Sequence, residues 1–299
     1  MKPRPLLADS SGPLYERVRQ TLERMALGRP LHDDTPLPPE PALMDTLGVS
    51  RGTLRRAIEE LTRDGLLVAE QGRGTFVDPE ERVRRVVWKR LLAVARPDSR
   101  FDLDLRQFVP DFAGREQAED ALLALETWQS AETVFVTPDN SLEHLRELAL
   151  QQGKRLLVPT FGLRRGFMFL DGTLIEESER KLASTLDGME RFGGRLGPAD
   201  LRSVGRVDVV VTGATAITVD GRHIGGGQRY LAVEWALLER LGVVDARVPV
   251  VGVVHDCQVL DEIVRVDPDC MIDLIVTPRL VVSCHKTGQI TRLPPRRQP

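Results

Sequence analysis

VSRGTLRRAIEELTRDG, residues 49–65, decides the fold of the N-terminal region, because it carries the signals for both ends of one amphipathic helix. Ser50 is the predicted N-cap, and Gly65 is the predicted end. Between them, apolar residues recur at helical spacing and form the predicted buried stripe: Leu54, Ile58 and Leu61. The segment therefore predicts a helix with one buried face and one exposed face.

The flanking segments predict a winged helix-turn-helix domain of the α+β class over residues 1–79. A first helix, PLYERVRQTLERMAL, and a short helix, ALMDTLG, come before it, and the tight turn GVS joins the short helix to it. Two short strands follow in LLVAEQGRGTFV, around the hairpin tip at residues 72–74. In a helix-turn-helix the second helix inserts its N-terminal residues into the major groove of DNA.

Arginines mark the helix face that would meet DNA. Arg51 and Arg55 stand four residues apart and share a face, and Arg56 extends the positive edge. Arginine reads guanine through two hydrogen bonds, and hydroxyl groups donate to phosphates. The candidate DNA contacts are Ser50, Arg51, Thr53, Arg55, Arg56, Arg73 and Gly74. By themselves these residues also fit a helical bundle with an ordinary solvated face.

Composition describes a soluble protein long enough for two domains. The 299 residues are 41% apolar and 28% charged, with a net charge of −3. Residues 1–79 hold eleven Lys and Arg against twelve Asp and Glu, so a DNA-binding face has to concentrate its positive charge. The apolar runs are too short to span a bilayer, no signal peptide is recognisable, and the three cysteines lack CxxC spacing. We expect a cytoplasmic protein without a membrane partner.

The N-terminal pattern resembles the winged-helix domain of the GntR family of bacterial regulators. The resemblance rests on LPPE, LGVSRGTLRRAIEELTRDGLL and GRGTFV, which occur in the family's order and at its spacing. Pro39 and Pro41 stand where the family usually has serine and arginine. The resemblance implies that the protein binds near-palindromic, double-stranded operator DNA as a homodimer, through the recognition helix and the wing.

Residues 80–285 predict an α/β domain. Near-continuous Val, Leu and Ile strands such as VDVVV and VPVVGVV alternate with amphipathic helices, which indicates a mostly parallel sheet with helices on both faces. Residues 286–299 are expected to form a disordered tail.

Three glycines, at residues 225–227, separate a strand-like run from a helix-like run in HIGGGQRYLAVEW. A glycine loop before a helix offers an anion backbone N–H groups and the positive end of the helix dipole. Arg229 would either clamp a carboxylate or phosphate or fill the space of a γ-phosphate. The glycines alone also fit a flexible turn without a ligand.

This region resembles the 5-formyltetrahydrofolate cyclo-ligase superfamily, with its NagB-like fold. The resemblance rests on VFVTPDNSLEHLRELALQQGKRLLVPTFGLRRGF, RHIGGGQRYLAVEWALLERLG and PVVGVVHDCQVLDEIVRVDPDCMIDLIVTP. VHDCQV and the pair Glu234-Trp235 are features of a paralogue branch, the methenyltetrahydrofolate-synthetase-domain proteins. The resemblance to that branch is the closer one.

The enzymes of this superfamily use ATP, and their glycine loop ends in glycine, two aromatics, an aspartate and a basic residue. This chain keeps Tyr230 but has Arg229, Ala232 and Val233 at the positions of the last glycine, the aspartate and the basic residue. Loss of a charged group that orients metal or phosphate costs orders of magnitude in phosphoryl transfer, while ligand binding is separable from catalysis. We therefore expect no catalytic residues and no required cofactor.

Polar residues just past a buried strand complete the expected crevice. Asp256 and Gln258 follow VPVVGVV, at the edge where parallel sheets bind ligands, although they also fit a turn that satisfies its own backbone. The candidate ligand-binding residues are Gly225, Gly226, Gly227, Arg229, Tyr230, Glu234, Asp256 and Gln258. The spacing of His255 with Cys257, and of Cys284 with His285, suits zinc poorly, so no metal site is predicted.

Together these patterns predict a transcription regulator whose degenerate cyclo-ligase-like domain senses an anionic metabolite related to folate, a nucleotide or thiamin. Two alternatives stay open. In the first, the second domain is still an ATP- and Mg²⁺-dependent cyclo-ligase, which makes the protein bifunctional. In the second, that domain serves only for dimerisation.

Overall fold

The computed structural model describes residues 12–97, 109–160, 163–225, 230–261, 271–284 and 289–292. The described residues up to Val86 form one compact unit, here called the winged-helix unit, and those from Val87 form a second, the α/β unit. Within the described residues, no helix is both long enough and apolar enough to cross a membrane.

The winged-helix unit has the predicted α+β architecture. Its elements are α1 (Leu14–Leu27), α2 (Glu40–Leu47), α3 (Arg51–Arg63), β1 (Leu67–Glu70) and β2 (Gly74–Val77). The two strands pair antiparallel. The core contains Val18, Leu22, Leu43, Leu47, Leu54, Ala57, Leu61 and Leu66. Ala57 is fully buried in this core, whereas Ile58, predicted in the buried stripe, packs at its margin.

Two local signals set the limits of α2 and α3. Gly48 ends α2 in the left-handed conformation, with φ 66°, which glycine adopts without steric cost. Ser50 caps α3, because its Oγ accepts a hydrogen bond from the backbone N–H of Thr53 at 3.3 Å. The resulting tight turn leaves the N-terminal residues of α3 in solvent.

The helix α4 (Pro79–Leu91) begins where the first domain was expected to end. At its middle, Arg85 Nη1 lies 2.7 Å from Glu23 Oε1 within the winged-helix unit. Further along, Trp88 and Leu91 belong to the hydrophobic core of the α/β unit. The division between the units therefore falls inside a continuous helix.

The α/β unit is built on a sheet of nine strands among the described residues. The strands of the unit are β3 (Thr133–Val136), β4 (Arg155–Pro159), β5 (Phe167–Asp171), β6 (Gly194–Leu196), β7 (Val209–Thr212), β8 (Ala216–Thr218), β9 (His223–Ile224), β10 (Val250–Val253), β11 (Val259–Leu260), β12 (Leu274–Val276), β13 (Leu280–Ser283) and β14 (Gln289–Arg292). Its helices are α5 (Arg115–Leu123), α6 (Glu126–Gln129), α7 (Glu143–Gln151), α8 (Arg180–Ser184), α9 (Met189–Phe192) and α10 (Tyr230–Arg240).

The order of the large sheet is β14-β13-β12-β10-β7-β3-β4-β5-β6. The strands from β12 to β4 in this order are parallel, and antiparallel strands extend both edges. A small sheet, β11-β8-β9, leads into the glycine loop. Helices cover both faces of the large sheet: Leu145 of α7 shares a core with Val134, while Leu231 of α10 shares the other core with Phe135.

The chain leaves β3 and β7, which are neighbours, in opposite directions. From β3 it passes through α7 to β4, and from β7 it passes through α10 to β10. Because α7 and α10 lie on opposite faces, the connections that leave β3 and β7 diverge at the C-terminal ends of these strands. This is the topological switch point at which open α/β sheets bind their ligands.

Candidate DNA interface and ligand crevice

The first two turns of α3 present arginines to solvent. The side chains of Arg51 and Arg55 are 61% and 58% exposed. Both approach Glu40, the first residue of α2: the Nε of Arg55 lies 3.1 Å from each carboxylate oxygen, and that of Arg51 lies 3.8 Å away. The hydroxyl oxygens of Ser50 and Thr53 are 3.0 Å apart at the same end of the helix. The predicted contacts on this helix face therefore lie together.

Arg56 points to a different neighbour. Its guanidinium carbon lies 3.7 Å from the centroid of the Tyr15 ring on α1, a cation–π contact. Its Nε is 3.6 Å from an oxygen of Glu60. Arg56 therefore borders the exposed face of α3 on the side of α1.

The hairpin tip carries the other two predicted DNA contacts. Arg73 is 70% exposed and pairs with Glu70 on the preceding strand. Gly74 has φ 123°, and a Cβ built there would lie 3.3 Å from the Cβ of Pro36. A glycine is required at this position because the backbone conformation disfavours other residues.

Each exposed arginine of the candidate interface contacts a carboxylate, so its positive charge is locally balanced in the free protein. Exposed ion pairs contribute little to stability, so DNA phosphates and bases can replace them. Sequence analysis missed the role of Glu40 and Tyr15. The only signal for Glu40 was its place in LPPE, fifteen residues before Arg55.

In the α/β unit, Asp139 lies at this switch point, shortly after β3. Its Oδ2 accepts hydrogen bonds from Thr137 Oγ1 at 2.7 Å and from the N–H of Gly213 at 3.2 Å. Its Oδ1 accepts one from the N–H of Val109 at 3.3 Å. One carboxyl group thus joins the ends of β3 and β7. Asp139 is 8% exposed, and burial raises its pKa.

Glu234 is a second buried carboxyl group, on α10. It is 2% exposed and shares the buried face of this helix with Leu231 and Trp235. Its Oε2 is fully enclosed and makes no hydrogen bond with any described residue. Burial, together with repulsion from the charge of Asp139, raises the pKa of Glu234 to about 8. Glu234 therefore carries its proton at neutral pH.

The turn after β10 uses its polar side chains internally. The Oε1 of Gln258 accepts a hydrogen bond from the N–H of His255 at 2.7 Å, and its Nε2 donates to a backbone carbonyl after β7. Asp256 accepts hydrogen bonds from Thr277 Oγ1 at 2.8 Å and from Arg279 Nε at 3.1 Å. These contacts join the ends of β7, β10 and β12, and the Asp256 side chain stays 11% exposed.

The glycine loop is described only at its ends. The carbonyl of Gly225 accepts a hydrogen bond from Thr215 Oγ1 at 3.2 Å, and α10 starts at Tyr230. The remaining predicted ligand contacts, Gly226, Gly227 and Arg229, lie outside the described residues, as do His285 and residues 293–299. Among the residues that the structure describes, no group of three or more His, Cys, Asp or Glu side chains could hold a metal ion.

Residues 79–278 match the sequence profile of the 5-formyltetrahydrofolate cyclo-ligase family. The chain belongs to this family. Residues 14–77 match the profile of bacterial regulatory proteins of the gntR family. The chain thus joins a GntR-type DNA-binding domain to a cyclo-ligase-family domain, as the sequence predicted.

Two relatives illustrate the two parts of the chain. A methenyltetrahydrofolate synthase domain-containing protein of Bos taurus is 33% identical over 207 residues, which cover 67% of this chain and 53% of that protein. A histidine utilization repressor of Pseudomonas putida is 42% identical over 71 residues, which cover 24% of this chain and 29% of that protein. The chain spans about half the length of the mammalian relatives that it matches.

Among solved structures, a similar one is the 5,10-methenyltetrahydrofolate synthetase of Aquifex aeolicus. Its sequence is 19% identical, the superposition has a TM-score of 0.43, and the match covers 73% of this chain and 97% of that one.

Proposed function

We propose that this protein is a homodimeric transcription regulator. It binds operator DNA with α3 and the hairpin tip, and it senses a small anionic metabolite in the crevice between β3 and β7. The observation that carries the proposal is the fusion of a GntR-type DNA-binding domain with a cyclo-ligase-family domain that has Ala232 and Val233 in place of acidic and basic residues.

The geometry of α3 supports the DNA-binding half of the proposal. Arg51 and Arg55 are exposed at the end of the helix that a helix-turn-helix inserts into the major groove. The relative from Pseudomonas putida, which matches this region, is by name a repressor.

The α/β unit supports a binding role rather than catalysis. Val233 is 57% exposed on α10, so the position of the family's basic residue presents an apolar side chain to solvent. Such a side chain can neither hold a phosphate nor orient a metal ion, whereas the start of α10 still offers an anion the positive end of its dipole. No cofactor is required in this scheme.

Communication between the two activities requires a ligand with different affinities for two arrangements of the protein. A metabolite bound in the crevice would shift the population of the arrangement that fits the operator. The helix α4, which contributes residues to both units, is the segment through which such a shift would pass.

The test is an operator obtained by in vitro selection, bound to the full chain and titrated with reduced folates, nucleotides and thiamin phosphates. We expect at least one compound to change operator affinity, and the variant Arg229→Ala to lose this response while keeping its ligand-free affinity. Absence of any response would contradict the sensor role. ATP hydrolysis that depends on 5-formyltetrahydrofolate would assign the domain to catalysis instead.

A further inference from the structure

One cavity of the α/β unit lies at the end of the sheet opposite the switch point. Its volume is about 500 Å³, within the range of about 300–1,000 Å³ that is typical of small-ligand sites. Asp171, the last residue of β5, pairs with Arg155 at the start of β4, whereas the switch point lies at the C-terminal ends of β3 and β7. The cavity is therefore separate from the site proposed for the anionic metabolite.

The cavity has an apolar wall. The apolar side chains that line it are Phe169, Leu174, Ile175 and Phe192. Leu174 is 82% exposed, so this wall is open to solvent. Gly194, the first residue of β6, pairs with Phe169 and therefore lies on the same face of the sheet. A Cβ built at Gly194 would meet no described atom within 4 Å, so there is room for a ring beside Phe169.

Acidic side chains form the rim of the cavity. Of the described residues that line it, three are acidic, Asp171, Glu176 and Glu179, and one is basic, Arg191. The exposed Glu176 side chain makes no ion pair or hydrogen bond with the described residues. The Oδ1 of Asp171 accepts hydrogen bonds from the N–H and the Oγ1 of Thr173 at 2.9 and 2.6 Å, but its Oδ2 accepts none from described donors. The rim therefore has an excess of negative charge.

Arg191 shows how this cavity holds a cation. Its guanidinium carbon lies 5.3 Å from the centroid of the Phe192 ring, and its Nη2 lies 3.8 Å from the Oε1 of Glu179. One positive group thus combines a cation–π contact with an ion pair. Phe169 and Glu176 offer the same two kinds of group in the same cavity, and neither forms a cation–π contact or an ion pair with the described residues.

We propose that this cavity binds an organic cation, in the form of a primary ammonium group joined to an aromatic ring. The ring packs against Phe169 in the space beside Gly194, and the ammonium group pairs with Glu176 and Asp171. Removal of the ring from water favours binding, and the carboxylates select for positive charge because they repel an anion. The site goes beyond the sensor role proposed above and does not depend on it.

Three probes of similar size separate charge from shape: 2-phenylethylamine, 2-phenylethanol and 3-phenylpropionate are positive, neutral and negative at pH 7. Their dissociation constants with the full-length protein are measured by ligand-observed NMR titration. The amine should bind about tenfold more tightly than the alcohol, because it adds an ion pair and a cation–π contact. The carboxylate should bind more weakly than the alcohol. Added salt should weaken binding of the amine and leave binding of the alcohol unchanged.

Variants place the probes in the cavity. Glu176→Gln should bring the affinity for the amine close to that for the alcohol, without changing the affinity for the alcohol. Glu177→Gln removes a neighbouring exposed acid that is not among the residues lining the cavity, so it is the matched control and should behave as the parent protein. Gly194→Leu places a side chain beside Phe169 and should abolish binding of both the amine and the alcohol. Its urea denaturation curve should match that of Gly194→Ala, which checks that the fold is kept.

Equal affinities for the amine and the alcohol, tighter binding of 3-phenylpropionate, or no binding of the amine would overturn the assignment. An unchanged preference for the amine in Glu176→Gln, or parent-like binding in Gly194→Leu, would overturn it as well. None of these outcomes involves operator DNA. Failure of the sensor role would therefore leave this site in place, and failure of this site would leave the sensor role in place.

Discussion

The Nε of Arg55 lies 3.1 Å from both carboxylate oxygens of Glu40, so the first residue of α2 pairs with an exposed arginine of α3. Arg51 approaches the same carboxylate at 3.8 Å. All three side chains are at least one-third exposed, and such pairs are weak in water. The carboxylate therefore contacts both arginines in the free protein but binds them only weakly.

Replacement of Arg55 by alanine should weaken operator binding by about 1–3 kcal/mol if Arg55 reads a base, because two hydrogen bonds to guanine are lost. The fold should be unchanged, since the side chain is exposed. Fluorescence anisotropy with the selected operator measures the loss. Arg63→Ala, an exposed arginine at the opposite end of α3, is the matched control. Equal losses in both variants would show that Arg55 supplies only general positive charge.

The variant Glu40→Gln should bind random-sequence DNA more tightly and discriminate the operator less well. Removal of one negative charge lowers repulsion of phosphates, and the released arginines lose the orientation that favours one base. Salt titrations with operator and with scrambled duplex separate the two effects. Tighter operator binding with undiminished discrimination would contradict the positioning role of Glu40.

The winged-helix unit was predictable because its decisive signals are local. Ser50 and Gly48 set the helix limits within a few residues, and Leu54 and Leu61 define the buried face. The contact between Glu40 and Arg55 was not predictable in this way. It joins residues on two helices whose mutual orientation depends on packing of the whole unit.

In the crevice, Gly213→Ala should destabilise the α/β unit. A Cβ at this position would lie 2.9 Å from the Oδ2 of Asp139, and three hydrogen bonds prevent that carboxyl group from moving aside. We expect a cost of about 1–3 kcal/mol in the free energy of unfolding, as for other overpacked sites. Gly194→Ala is the control, since a Cβ there meets no atom within 4 Å. Equal urea denaturation curves for the two variants would contradict this account.

The α/β architecture followed from the alternation of apolar strands and amphipathic helices, but side-chain geometry at the crevice did not. The sequence predicts Asp256 as a site residue because it follows a buried strand, but it does not single out Asp139, which follows β3 in the same way. Which of several polar residues becomes buried depends on strand order, and a switch point between β3 and β7 is a property of topology. The antiparallel strands at both edges were likewise not evident from local patterns.

Glu234 should make the α/β unit less stable as the pH rises. Its pKa is about 8 in the folded protein and near 4.5 for an unperturbed glutamate. Between these values the folded state holds a proton that the unfolded chain releases, so the free energy of unfolding falls with rising pH and levels off above about pH 8. The total loss should be on the order of a few kcal/mol.

Glu234→Gln does not titrate, so the stability difference between it and the parent protein should widen in favour of the variant from pH 5 to pH 8. Urea unfolding of the full chain at intervals across this range measures this difference, and parallel curves would contradict a protonated Glu234.

Asp139→Asn removes the charge that repels the ionised form of Glu234. The free energy of unfolding of this variant should therefore stop falling at a lower pH than that of the parent protein. An unchanged end point would show that burial alone holds the proton on Glu234.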